Sequence, residues 1–335
     1  MKRIIHLSYI VVGLLFFSCE SALFDAENES KDPMKNFDYL WTQCDEKYAY
    51  FDLKGINWDD VKVRYSAKIY DGMSDDSLFK VLGSMLNELK DDHTNLVSNF
   101  NVSSYGVLRE GKDNFDWRIV EDNYLPRRFY QSGPFSHDFI ANGQIGYIRF
   151  PEFSGTVDKK NMDFMLDRYK DTKGLILDLR ENGGGAVTDV FELLSRFVET
   201  KTLLYYVRLK NGKGHNDFTE PQEAYVEPYD GIRYTKPVAV LVDRGTFSAA
   251  SFTSLATKAL PNVFLVGDTT GGGLGLPNGG QLPNGWTYRF SISQGLTLDK
   301  NNSFENGVPA DIPASFDWTN LKRDEIIDRA IDELL

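Results

Sequence analysis

The 335-residue sequence has only two cysteines, Cys19 and Cys44, and only four histidines. Cys19 falls in an apolar N-terminal stretch, so the folded part holds a single thiol. That excludes an intramolecular disulfide and a cysteine-based metal site, and leaves Cys44 to pack on a helix face. There is no His-Glu-x-x-His and no histidine pair at ligand spacing, and Asp91-Asp92 lacks the acid-and-glycine order of an EF-hand. Metal chemistry therefore has no support. The glycine pattern of a dinucleotide fold and the lysine of a phosphate-binding P-loop are missing too. Basic residues are few, 37 Lys and Arg against 49 Asp and Glu, for a formal net charge of −12. A nucleic-acid partner is excluded on that balance. Beyond the N-terminus no apolar run reaches membrane-spanning length, and no internal repeat is seen.

The N-terminus itself carries an address. Lys2 and Arg3 precede an apolar run, Ile4 to Phe17, which ends in Phe16-Phe17-Ser18-Cys19. A basic start, a core too short for a comfortable span and a small residue before a cut site describe a secretory signal over residues 1–18. A cysteine directly after Ser18 resembles the lipobox of bacterial lipoproteins. The resemblance implies lipidation of Cys19 and membrane attachment through the N-terminal lipid; plain secretion with cleavage nearby is the alternative. Residues 19–35, rich in Glu, Asp, Ser and Asn, then read as a flexible tether.

The chain after the tether divides into an N-terminal helical domain, 36–100, and a larger domain, 101–335. Phe37, Leu40, Trp41, Cys44 and Tyr48 recur at helical spacing; Trp58-Asp59-Asp60 opens a second helix, and Ser74 caps a third. The third helix stops before Asp91-Asp92-His93-Thr94. His137 and His215 stand in polar, turn-like surroundings, so His93 is the histidine placed at a junction between elements. Trp117–Val120, Asp138–Ala141 and Ile145–Phe150 read as short strands, the last two forming a hairpin at Asn142-Gly143. A helix from Thr156 to Tyr169 precedes the strand 173–180 and the glycines Gly183-Gly184-Gly185.

The strand Val238–Val242 leads through Arg244-Gly245-Thr246-Phe247 to Ser248 and a helix up to Leu260. Two strand–glycine turn–helix units in succession predict an α/β fold with a mixed, largely parallel sheet and flanking helices, its loops at the carboxyl ends of the strands. Ser248 at a helix N-terminus is either a nucleophile, with Ala249's amide aimed at the oxyanion, or with Thr246 merely a helix cap. Gly183 and Gly184 are either the other half of an oxyanion hole or a tight turn. A serine nucleophile would still need a base and a group to orient it.

The segments Asp91-Asp92-His93-Thr94, Asp178-Leu179-Arg180-Glu181-Asn182-Gly183-Gly184, Thr246-Phe247-Ser248-Ala249-Ala250, Gly267-x-x-Thr270-Gly271-Gly272 and Glu305-Asn306-Gly307-Val308-x-x-Asp311 occur in that order. Together they resemble the C-terminal-processing (tail-specific) serine peptidase family, over about residues 36 to 335. The resemblance implies a ClpP/crotonase-like core over 101–335, a peptide or protein substrate, and hydrolysis with no metal and no cofactor. The lysine that many members place in Thr-x-Gly-Lys-Gly is absent, because this chain reads Thr269-Thr270-Gly271-Gly272-Gly273. The remaining pattern is similar to the tricorn-like branch. By that match Ser248 is the nucleophile, His93 the general base, Glu305 the polar support and Asp92 a second orienting side chain. Gly183 or Gly184 and Ala249 would donate the oxyanion amides. Asn101 to Gln144 is about half of a PDZ domain, so none is expected. Loss of the lysine invites one rival, a catalytically silent lipoprotein that binds peptides or glycans. The other rival, an esterase, lacks its Gly-x-Ser-x-Gly.

Overall fold

The computed structural model describes residues 29–106 and 111–335; the expected signal and Cys19 lie outside the described residues. Helix α1 (Pro33–Lys47) begins inside the expected tether. Asp32 caps it, accepting from the Met34 and Lys35 amides, and Pro33 occupies a position that needs no donor. Helices α2 (Phe51–Lys54), α3 (Trp58–Ser66) and α4 (Asp75–Asn87) come after it, the last two capped by Asn57 and Ser74. Short strands β1 (Asn95–Val97) and β2 (Val102–Ser104) are next.

Helix α5 (Trp117–Asn123) stands where a strand was expected. Asp116 caps it by accepting from the Arg118 amide, and Ile119 and Val120 are both buried, so the apolar residues are neighbours and do not alternate. A four-residue window does not separate one helical turn from a strand. The chain continues through strands β3 (Tyr130–Ser132), β4 (Phe135–Ile140) and β5 (Ile145–Arg149), with a single 3₁₀ turn, Ala141–Gly143, between the last two. Asn142 sits there at φ 55° and ψ 36°, so the expected hairpin turn falls at Asn142-Gly143. His137 is not in a turn: it lies within β4, fully buried, with Ser132 Oγ 2.9 Å from Nε2 and the Tyr169 hydroxyl 2.7 Å from Nδ1.

The remainder alternates. Helix α6 (Lys159–Tyr169) leads to β6 (Gly174–Asp178), α7 (Val187–Leu194), β7 (Thr202–Leu209) and β8 (Gln222–Val226). Strand β9 (Val238–Val242) leads to α8 (Ala249–Thr257) and β10 (Val263–Gly267). Strands β11 (Pro277–Gln281), β12 (Thr287–Ser291) and β13 (Ser293–Leu296), a 3₁₀ turn at Ser303–Asn306, β14 (Ile312–Pro313) and α9 (Glu325–Leu334) complete the chain.

These elements form two compact units. The N-terminal unit takes residues up to Tyr105 together with 210–218 and 276–292. Its helices cover a four-stranded sheet of order β11-β12-β1-β2. The core joins Phe37, Leu40, Trp41 and Cys44 to Trp286, Tyr288 and Phe290. The helical part expected over 36–100 is thus completed by a hairpin from much later in the chain. Its pairing, Asn95 opposite Arg289, has no local signal.

The larger unit holds a seven-stranded sheet of order β14-β10-β9-β6-β5-β4-β3. Neighbours from β14 to β5 run parallel, and the pairs β5/β4 and β4/β3 are antiparallel, which is the mixed, largely parallel α/β sheet that was expected. Strands β6, β9 and the apolar part of β10 are continuous apolar runs because both faces of a covered parallel sheet are buried. A second sheet, β13-β7-β8, belongs to the same unit.

Candidate active site

Strands β6 and β9 are parallel neighbours, with Asp178 opposite Leu241, so the loops leaving their carboxyl ends emerge side by side. The β6 end is fixed by a buried ion cluster. Arg180 places Nη2 2.6 Å from Asp178 Oδ2 and Nη1 2.7 Å from Asp324 Oδ2, all three side chains being inaccessible. The Tyr147 hydroxyl donates to Asp178 as well, at 2.7 Å. Burial works to raise the Asp178 carboxyl, and the Arg180 and Arg149 cations beside it more than reverse that. The Asp-Leu-Arg segment therefore aims a loop and takes no part in chemistry itself.

At the β9 end, Asp243 Oδ1 accepts from the amides of Glu181, Gly245 and Thr246, coupling the two loops. Thr246 Oγ1 donates to the Leu179 carbonyl at 2.9 Å, and its hydroxyl is thereby committed away from any cap. Phe247 N donates to the Asn182 carbonyl and Ser248 N to the Gly272 carbonyl, at 2.9 and 3.0 Å. Ser248 then enters α8 at φ 55° and ψ −120° and makes no side-chain cap bond. The cap reading is thus excluded by geometry. A β-carbon-bearing residue held in that region stores about 1–3 kcal/mol of strain, and the resulting strand–strained turn–helix corner projects the side chain out of the helix start.

The glycine loop abuts this corner. A Cβ on Gly184, whose φ is +95°, would come within 2.7 Å of Ser248 Cβ and 2.8 Å of Ala249 N. Only glycine leaves that space open. Gly184's own amide donates to Asn182 Oδ1 at 2.9 Å, so of the two candidate donors in this loop it is the one already engaged. The amides of Gly183 and Ala249 have no hydrogen-bond partner among the described residues.

Glu305 is buried at 2% exposure in the 3₁₀ turn Ser303–Asn306. Its Oε2 accepts from Leu274 N at 2.6 Å and its carbonyl from Gly273 N at 3.0 Å. Thr270 binds this loop to the serine corner, its hydroxyl accepting from Ser251 Oγ and Val308 N at 3.0 Å each. Arg244 Nη1 donates to the Thr270 and Asn306 carbonyls at 3.0 and 2.8 Å. Gly272, at the place of the family's lysine, has φ +77°, and a Cβ there would lie 1.8 Å from the Glu305 carbonyl oxygen. The loop has closed over the position a lysine would need. Lys258 does not replace it, because its ammonium is tied to Asp311 (2.5 Å) and the Pro309 carbonyl (2.9 Å).

His93 and Asp92 belong to the N-terminal unit, in the turn between α4 and β1. His93 is buried. Burial pushes its imidazole below the ordinary range. Asp91 opposes that, Arg289 reinforces it, and Asp92 and Lys54 add smaller effects of opposite sign. Asp91 holds the backbone of this turn, its Oδ1 accepting from His93 N at 2.9 Å. Asp91, Asp243, Thr270 and Asn182 are structural supports to which motif reading gave no role. All four stood within or beside a noticed segment, and nothing in residue type marks an anchor.

The family model described as peptidase family S41 matches residues 144–314, and the tricorn protease C1 domain matches residues 30–87. Carboxy-terminal processing protease CtpA of Bacillus subtilis is 29% identical over 216 residues, 64% of this chain and 43% of its own length. The chain thus spans under half the length of that curated relative. A crystal structure from Parabacteroides merdae, assigned to a peptidase, is 39% identical, covers 91% of this chain and 98% of that one, and superposes with a TM-score of 0.87. Mature CPAF shares the fold at 13% identity, with a TM-score of 0.68, covering 91% of this chain and 96% of its own.

Proposed function

The chain belongs to peptidase family S41. From that premise we propose that it is an exported serine endopeptidase, tethered to a bacterial membrane by a lipid on Cys19, that hydrolyses peptide bonds through an acyl-enzyme. Among the described residues no helix is long and apolar enough to cross a membrane. The single observation that carries the reading is the strained Ser248 corner, with the unpartnered amides of Gly183 and Ala249 beside a loop that only glycine can occupy.

In this reading Ser248 Oγ attacks the scissile carbonyl while His93 takes its proton, and the tetrahedral oxyanion is received by Ala249 N and Gly183 N. Gly184 supplies the opening for the substrate carbonyl. His93 then returns the proton to the leaving amine, and water repeats the sequence on the ester. Glu305 and Asp92 favour the imidazolium. A histidine kept neutral by burial is ready to accept a proton at neutral pH, as a base must be. The lowered proton affinity places the acidic limb of the rate profile below the usual histidine range.

The test is cleavage of unfolded casein by the mature protein and by its Ser248→Ala and His93→Ala variants. Both variants are expected to be inactive and folded. Equal cleavage by all three would remove the assignment. Binding of peptide without cleavage by any of them would leave a silent peptide-binding lipoprotein. Membrane fractionation of Cys19→Ala checks the anchor, since release into the soluble fraction is expected.

A further inference from the structure

Asp91 lies one residue further from the histidine than the side chain the family pattern singles out, yet it is the more deeply buried of the two. Its carboxylate, 4% exposed, accepts three hydrogen bonds from three separate stretches of the N-terminal unit. His93 N donates to Oδ1 at 2.9 Å. The Tyr48 hydroxyl, at the carboxyl end of α1, donates to Oδ2 at 3.2 Å, and Ser291 Oγ, at the end of β12, donates to the same oxygen at 2.9 Å. The Asp91 carbonyl also accepts from Thr94 N at 2.9 Å, and Ala49 N donates to the Ser291 carbonyl at 2.9 Å, so the knot is closed by backbone on two sides.

We propose that Asp91 is a positioning residue for the general base: it fixes the His93 backbone against α1 and β12 and holds a buried negative charge close to the imidazole. This rests on the reading of His93 as base. A carboxylate engaged with the amide of the histidine acts on the ring through space, and a charge in a buried setting is screened little. The other charged groups acting on His93 are Arg289 from β12 and Lys54 from α2, which disfavour its protonation, and Asp92 from its own turn, which favours it. Asp91 is the largest of these charge effects and the one with three donors holding it in place.

The test is the pH dependence of kcat and of the His93 imidazole resonances, the latter recorded in a Ser248→Ala background so that no turnover is needed. Asp91→Asn preserves an acceptor for His93 N and removes the charge. The acidic limb and the NMR titration are expected to move down together by about 0.5–1 pH unit, with plateau kcat reduced about tenfold and KM little changed. Ser291→Ala removes a donor that partly offsets the carboxylate, so it is expected to move both readouts the other way by a few tenths of a unit. It also provides the measurement should the asparagine variant not fold. A limb and titration that stay at the wild-type position in Asp91→Asn, or a downward movement in Ser291→Ala, would overturn the proposal. Failure of the base assignment shows separately, as full activity in His93→Ala whatever Asp91 does.

Discussion

Reinstating the family's lysine by Gly272→Lys should cost stability and restore nothing. Gly272 has φ +77°, which costs a residue with a Cβ about 1–2 kcal/mol. The new Cβ would stand 1.8 Å from the Glu305 carbonyl oxygen and 2.9 Å from Gly307 N, so backbone must move. That carbonyl accepts from Gly273 N at 3.0 Å, and losing the bond adds about 1 kcal/mol. The sum is about 2–3 kcal/mol, or roughly 4–12 °C in melting temperature for a domain of this size. Gly272→Ala should show most of this loss, since the cost sits at the Cβ. Thermal unfolding of both variants, with casein cleavage by Gly272→Lys and by its His93→Ala double variant, is the assay. A Gly272→Lys protein that melts with the wild type and rescues cleavage in the absence of His93 would refute the reasoning, because the loop would then have kept room for a Ser–Lys pair.

Ser248→Gly should abolish cleavage and stabilise the fold by about 1 kcal/mol, since glycine relieves the strain at φ 55°; a melting temperature below that of Ser248→Ala would contradict it. Arg180→Met strands two inaccessible carboxylates, Asp178 and Asp324, and should cost about 3–5 kcal/mol by urea denaturation. A loss under about 1 kcal/mol would show that the cluster does not hold the β6 loop. His137, buried between Ser132 and Tyr169, is lowered to about 4 by burial first and then by Arg168. The unfolded chain thus binds a proton that the fold refuses, so this contribution is complete above the unfolded value near 6.5 and is lost as pH falls toward 4. His137→Gln should flatten the denaturation midpoint over that interval, and an unchanged slope would exclude the assignment.

The sequence was most readable where one physical signal acts alone. Continuous apolar runs marked β6 and β9, and Ser74 ahead of an amphipathic run marked the start of α4. The serine corner was legible as a place, but not as a strained one, because φ is set by the Phe247 and Ser248 amide bonds to the Asn182 and Gly272 carbonyls. Strands β7 and β8 went unread: β7 mixes apolar and half-buried positions along its length, and β8 has one buried residue. The setting of Asp91 depends on Ser291, 200 residues away, which no local pattern reveals. Likewise the choice between Gly183 and Gly184 turns on a single side chain, Asn182, bonding back to its own loop.

The N-terminal unit also sets a schedule for biosynthesis. Among the described residues strand β1 pairs with β2 and β12 alone, and the anchor of the histidine turn includes Ser291, so this unit stays open until the ribosome has passed residue 291. At typical elongation rates the wait between Asn95 and its partner Arg289 is roughly 10–40 s. During that time a nascent chain would carry the proposed base, His93, on an unfinished scaffold, and a prematurely terminated one could never finish it. The order in which its own strands become available therefore holds back completion of the turn that carries the proposed base.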